Sequence, residues 1–239
     1  MTTHGPVVLV GGGGLGPWAW NRVTPLLQQH GLTVVTPQLR ATGNDETPPS
    51  SVTLSDWIDD LATEVGRLEG VTLVAHSFAG YVAAGALHRL VGRLRSVVFL
   101  DAVLPQPSAS WFEVMGSRTE DFMRSLARDG ATPWFTRDQL DQMYPNNGIT
   151  DQDLAWLQEH VTSQPIGTYA EHAIKQPIQT LAANVRLHYV RCLRTNPPVA
   201  PDTDLADGWI MSTIDSSHWP MVTAPEDVAR AIIEVVENP

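Results

Sequence analysis

The sequence predicts an α/β fold: a mostly parallel sheet with helices on both faces and an inserted helical cap. Short, nearly continuous apolar runs alternate with amphipathic helical ones over most of the 239 residues. That alternation is the pattern of strands buried on both faces by crossover helices. A single block, 104–183, interrupts it and carries no convincing strand-like run, and the alternation resumes afterwards. The core is therefore expected over 1–103 and 184–239, with the cap over 104–183.

Taken in order, the expected strands are Pro6–Val10, Leu32–Thr36, Val71–Val74, Ser96–Leu100, Val185–Cys192 and Trp209–Thr213. The expected helices of the core are Trp18–His30, Leu54–Glu69, Phe78–Val91 and Glu226–Glu237. Two of them open on a hydroxyl three residues before a carboxylate, Thr53 with Asp56 and Thr223 with Glu226, a spacing that satisfies orphan backbone amides reciprocally. Within the cap, helices are expected at Thr119–Arg128, Thr136–Met143 and Thr150–Val161, punctuated by Pro133, Pro145, Gly148, Pro165 and Pro177. This block is rich in rings: Trp111, Phe112, Trp134, Phe135, Tyr144, Trp156 and Tyr169. Helices inserted after a strand of a parallel sheet lie over the strands' carboxyl ends, where ligands of such sheets bind. Most of these rings are expected to pack the cap onto the sheet. A substrate pocket is expected to draw on Gly12, Gly14, Trp111, Trp134, Trp156 and Trp219.

Bulk properties narrow the function. A net charge of -11 argues against a nucleic-acid or anionic-membrane partner, each of which calls for a basic face. The basic cluster His88, Arg89, Arg93 and Arg95 reads as a solvated helix end. One cysteine, Cys192, allows neither an internal disulfide nor a metal cluster, so no metal is expected. Neither a secretory leader nor a membrane span is legible, and a cytoplasmic protein acting on a small molecule is the expectation.

The chemistry centres on Val71-Thr-Leu-Val-Ala-His-Ser-Phe-Ala-Gly80. An apolar run meets a helical segment at Ser77, with small residues, Ala75 and Ala79, two positions to either side. A strand that turns sharply into a helix tolerates only small neighbours and pushes the turning side chain outward, which is how a nucleophile elbow is built. Serine also suits a plain N-cap. The elbow reading requires a base, an acid to orient it and backbone donors for an oxyanion. Among the eight histidines, His218 alone lies late in the chain, just past a strand and before the last helix. His76 is expected to point away from Ser77 across the turn. The glycine loop Val10-Gly-Gly-Gly-Gly-Leu-Gly-Pro17 and the amide of Phe78 are the expected oxyanion donors, with Gly13 preferred and Gly12 or Gly14 as alternatives.

Gly11, Gly13 and Gly16 also spell the dinucleotide-binding fingerprint. The second strand ends without the carboxylate that would hold a ribose, although Arg40 could hold a 2′-phosphate, so an NADP-binding oxidoreductase stands as a rival.

Together, Val7–Trp20, Leu73–Gly80, Val97–Leu104, His188–Cys192 and Ser217–Pro225 resemble the α/β-hydrolase superfamily. The branch they resemble is that of small methyl-ester esterases, hydroxynitrile lyases and their bacterial relatives. The resemblance implies a Ser-His-acid triad and no cofactor; acyl transfer through Ser77 is the expected reaction, and the aromatic cap points to a small to medium apolar ester as its substrate. A lyase or cyclase using His218 as a proton-transfer base, and a catalytically silent binding protein, are the alternatives. The last of these predicts Ser77 and His218 out of hydrogen-bond reach. Two departures stand out. Gly11 replaces the usual histidine of the loop, and Leu193-Arg-Thr-Asn196 offers no carboxylate where the acid normally follows its strand, Thr195 taking that place. Asp101, at the end of Val97–Asp101, could be the acid; so could Asp202 or Asp204; or there is none, leaving a Ser-His dyad.

Overall fold

A computed structural model describes residues 4–196, 198–199 and 208–238. The core begins with β1 (Val7–Val10), α1 (Thr24–Gln29), β2 (Val34–Val35), α2 (Leu54–Val65), β3 (Val71–His76), α3 (Ala79–Leu90) and β4 (Leu94–Leu100). Then come α4 (Trp111–Met115), α5 (Ser117–Leu126), β5 (Ala131–Thr132), α6 (Arg137–Met143), α7 (Asp151–His160), β6 (Gln164–Pro165) and α8 (Ile178–Leu181). The chain returns to the sheet with β7 (Arg186–Cys192) and β8 (Ile210–Ile214), and ends in α9 (Pro220–Thr223) and α10 (Pro225–Glu237). Six strands form one sheet in the order β2-β1-β3-β4-β7-β8, and every described pairing in it is parallel.

Alternation along the strands divides the core into two layers. Val8, Val10, Leu73, Ala75, Val97, Phe99, Leu187 and Tyr189 face α2 and α3, where Trp57, Leu61, Val82 and Ala86 meet them. Val7, Leu9, Val74, Val98, Leu100 and Val190 face α1 and α10 and meet Trp20, Leu27, Val228, Ile232 and Val236. Burial on both faces explains why the strands read as apolar runs. Among the described residues, no helix is long and apolar enough to cross a membrane.

Local departures from the sequence reading have local causes. Trp18–His30 is split into a 3-10 turn, Pro17–Trp20, and α1, because Pro25 lacks an amide proton and suits a helix start. The reciprocal cap at Thr53 and Asp56 forms. The one expected at Thr223 does not: Ala224 occupies the N-cap of α10. Thr223 already closes α9, and its hydroxyl donates to Trp219 O at 3.1 Å and pairs with Ser216 Oγ at 2.8 Å. Between β4 and β7, the helical block contains one antiparallel pair, β5 with β6. At two residues each, these strands are too short to carry a period.

Candidate active site

Three strand ends and one loop meet at the carboxyl edge of the sheet. β3 runs into α3 through Ser77, whose φ of 53° lies in the left-handed region that non-glycine residues rarely occupy. The turn is held by Ser77 N–H donating to Leu100 O at 3.3 Å, and by Val103 N–H and Gly80 N–H donating to Ser77 O, each at 3.0 Å. It also needs glycine at position 80, where an added Cβ would sit 2.2 Å from Val103 O. At the neighbouring strand end, Asp101 also has a positive φ, 43°. Two strained residues on adjacent strands thus hold side chains above the sheet, the kind of outlier that clusters at functional sites.

Those side chains are joined through His218. Ser77 Oγ lies 2.9 Å from His218 Nε2, and His218 Nδ1 lies 2.7 Å from Asp101 Oδ2. Asp101 and His218 are buried and Ser77 is half-buried at the cavity wall. Burial by itself would raise the Asp101 pKa. The hydrogen bond and charge of His218, the Thr195 hydroxyl and the Cys192 amide outweigh it, and the carboxyl is held below the usual value. Thr195 Oγ1 donates to Asp101 Oδ2 at 2.7 Å, and Cys192 N–H donates to Oδ1 at 3.1 Å. Among the described residues, the candidate acid in contact with His218 is Asp101; Asp202 and Asp204 lie outside the described residues. The binding-only reading expects Ser77 and His218 to be apart, and they are not.

His76 does not point away from this group. It is fully buried, its Nε2 donates to His218 O at 2.7 Å, and its ring centroid lies 5.0 Å from that of His218. Burial drives its pKa down to about 3, with the neighbouring His218 contributing, so the ring is neutral. From the opposite side, Tyr144 stacks on His218 with the rings 7° from parallel and 5.1 Å apart. Burial and the Asp101 charge push its phenol up to about 12. The sequence marked Tyr144 only as one ring among several. Its position after α6, far from His218 in the chain, gave no sign of the stacking.

The glycine loop closes the site from the β1 side. A Cβ added at Gly12 would lie 2.7 Å from Ser77 Cβ, so glycine there permits the loop to touch the elbow. Among the described residues, the amides of Gly13 and Phe78 donate to no protein acceptor, whereas Gly14 N–H is taken by Gln164 Oε1 at 3.0 Å. The geometry thus removes Gly14 from the candidate donors; of the remaining ones, Gly13 and Phe78 line the cavity and Gly12 does not. Two free amides on the same cavity wall as a serine hydroxyl can donate to an oxygen that develops negative charge.

Over the group lies a cavity of about 970 Å³, lined by Gly13, Ser77, Phe78, Trp111, Trp134, Tyr144, Tyr169, His218 and Trp219, among others. Trp156, Gly12 and Gly14, expected in the pocket, do not line it. Trp156 instead packs edge-on against Trp18 at 5.2 Å and under Arg22. Gly14 packs against Trp134, and Gly12 against the elbow. Arg40, the residue that the dinucleotide reading needs for a 2′-phosphate, is paired with both Asp56 and Asp60.

Comparison with known proteins agrees with this architecture. The profile of the alpha/beta hydrolase family matches residues 7–231. The chain is 27% identical over 258 aligned residues to Methylesterase 9 of Arabidopsis thaliana, covering 97% of this chain and 98% of that one. It is 34% identical over 102 residues to a carbendazim hydrolyzing esterase of Nocardioides sp. (strain SG-4G), covering 41% of this chain and 42% of that one. An extracellular alpha/beta-hydrolase from a Paenibacillus species superposes with a TM-score of 0.81 at 17% identity, over 97% of this chain and 98% of that one. A pyrethroid hydrolase from Sphingobium faniae JZ-2 gives 0.75 at 20% identity, over 99% of both chains. With the profile spanning the sheet from its first strand to its last, the chain belongs to the alpha/beta hydrolase family, and among that family's members it is similar to methylesterases.

Proposed function

We propose that this protein is a serine hydrolase of a medium-sized apolar ester, with Ser77 as nucleophile, His218 as base and Asp101 as the acid behind it. The single observation that carries this reading is the unbroken hydrogen-bond chain Ser77–His218–Asp101 at the wall of an aromatic cavity. His218 takes the Ser77 proton as Oγ attacks the ester carbonyl, and the Gly13 and Phe78 amides hold the oxyanion. His218 then gives that proton to the leaving alcohol. Water, deprotonated by the same ring, cleaves the acyl-enzyme and restores Ser77. Asp101 keeps Nδ1 protonated, so that Nε2 is the basic nitrogen, and stabilises the imidazolium as it forms.

Names among the relatives, methylesterase and esterase, support ester hydrolysis as the reaction class. Substrate size follows from the cavity, whose 970 Å³ stands at the upper end of ordinary ligand pockets. Its aromatic walls favour an apolar acyl or alkoxy group. The helical block between β4 and β7 supplies many of these walls and serves as a cap, 104–183, that excludes water from the reacting atoms.

A serine-directed fluorophosphonate with intact-mass detection tests the assignment, run beside turnover of p-nitrophenyl esters. Wild type is expected to gain one adduct, Ser77→Ala none, and His218→Ala and Asp101→Asn far slower labelling. An adduct that survives Ser77→Ala overturns the nucleophile. Labelling without ester turnover favours a lyase-type reaction at the same group.

A further inference from the structure

We propose that the Tyr169 hydroxyl is a third donor to the carbonyl oxygen of the substrate, joining the Gly13 and Phe78 amides; this rests on the acyl-transfer reading above. Tyr169 is 8% exposed and lines the cavity that holds Ser77, and among the described residues its hydroxyl has no hydrogen-bond partner. The ring is buried while its hydroxyl oxygen opens on the cavity, so a ligand there can take up its hydrogen bond.

Its place is set rigidly. The ring is clamped by Trp111, with centroids 4.6 Å apart, and by the edge of Phe78 at 4.8 Å. The 3-10 turn Ile166–Tyr169 that carries it is stitched to the glycine loop through one side chain. Gln164 Oε1 accepts from Gly14 N–H at 3.0 Å, while Gln164 Nε2 donates to Thr168 Oγ1 at 2.7 Å. Thr168 Oγ1 in turn donates to Pro165 O at 2.7 Å. The consequence is that the phenol oxygen hangs over Gly13: a Cβ added there would lie 3.6 Å from it. Burial raises the phenol's pKa, so it stays protonated and can only donate to an oxyanion. The proton does not leave Tyr169. The hydroxyl strengthens one hydrogen bond as the carbonyl oxygen gains charge, which is transition-state stabilisation rather than uniform binding.

Tyr169→Phe keeps the clamped ring and removes only the donor. For a p-nitrophenyl ester the variant is expected to lose about 10- to 100-fold in kcat with KM within about twofold. A trifluoromethyl ketone, whose serine adduct carries the oxyanion, is expected to bind more weakly by the same factor. The fluorophosphonate adduct at Ser77 of the wild type is measured alongside. If that adduct forms but Tyr169→Phe retains kcat, or loses only in KM, the hydroxyl is not an oxyanion donor and the acyl-transfer reading survives. If the wild type forms no adduct and turns over no ester, both fall together.

Discussion

Thr195 donates its hydroxyl to the same oxygen of Asp101, Oδ2, that receives His218 Nδ1–H, at 2.7 Å in both cases. The family resemblance would place a triad acid after the strand that is β7 here. In this chain β7 is the direct neighbour of β4, with Leu100 paired to Val190. Moving the carboxylate from one strand end to the next therefore keeps it within reach of the same imidazole, and the vacated position becomes a donor to it. The expected outcome is that Asp101→Asn lowers kcat by about a thousand- to ten-thousand-fold, the order seen when a triad acid is made an amide. The double variant Asp101→Asn with Thr195→Asp is expected to recover about tenfold or more. Steady-state kinetics on one ester checks both; a double variant no better than Asp101→Asn refutes the equivalence of the two strand ends.

The Thr195 hydroxyl also stabilises the folded state. It helps hold the Asp101 carboxyl below its ordinary value of 3.8. A carboxyl depressed on folding contributes stability that is present above that value and lost as the pH falls through the folded pKa. Thr195→Val removes one hydrogen bond to a buried charge and is expected to cost about 1.5–3 kcal/mol at pH 7. Urea denaturation measures it, and a loss that shrinks progressively as the pH is lowered below 3.8 identifies the charged carboxylate as its origin.

His76 gives a pH dependence of its own. Its folded pKa of about 3 lies below the free value of 6.5. Between those two values the unfolded chain binds the extra proton and the folded one does not, so stability rises with pH across that window and is fully present above 6.5. The slope approaches about 1.4 kcal/mol per pH unit. His76→Gln keeps an N–H donor for His218 O but cannot be protonated. Its unfolding free energy is expected to vary less between pH 4 and pH 7 than that of the wild type, by urea titration; equal slopes would rule out His76 as the source.

How much of this was legible depended on whether the signal was local. The parallel core could be read because its strands are buried on both faces and appear as runs such as Val7–Val10. The turn at Ser77 could be read because such a turn restricts its own neighbours, and the contact of His218 with it because His218 lies late, between a strand and the last helix. Asp101 remained one of several candidates, since the adjacency of β4 and β7 is a property of sheet order and not of any short stretch. His76 and Tyr144 escaped for the same reason. His76 meets His218 across 142 positions of chain, and nothing beside either residue encodes that contact. Thr195 was noticed only for the carboxylate it lacks; its donor role requires knowing where Asp101 points.

Glycine packing at the elbow separates activity from stability. Gly12→Ala would press a methyl to 2.7 Å from Ser77 Cβ and 3.0 Å from His76 Nδ1. Displacement of the Ser77 hydroxyl by even a fraction of an ångström is expected to slow fluorophosphonate labelling by about a hundredfold. Gly80→Ala meets backbone instead, with Val103 O only 2.2 Å away, and is expected to destabilise the fold by about 1–3 kcal/mol or more. Thermal unfolding and labelling rates on both variants check the division. A Gly12→Ala protein that labels at the wild-type rate would mean the loop does not abut the elbow in solution.

Two tryptophans that the sequence treats alike divide in the same way. Trp134 lines the cavity and packs edge-on against Trp219 at 5.9 Å, whereas Trp156 lies outside it against Trp18 and Arg22. Trp134→Ala opens the cavity wall against which the proposed apolar ester would rest. Its effect is expected mainly in KM, about tenfold for an aryl ester, because that contact is made equally in the ground and transition states. Trp156→Ala removes a half-buried indole from the layer beside α7 and is expected to cost about 2–3 kcal/mol of stability with KM unchanged. The check is kinetics and urea denaturation on both variants. If Trp156→Ala raises KM as much as Trp134→Ala does, the substrate extends beyond the described cavity and toward α7.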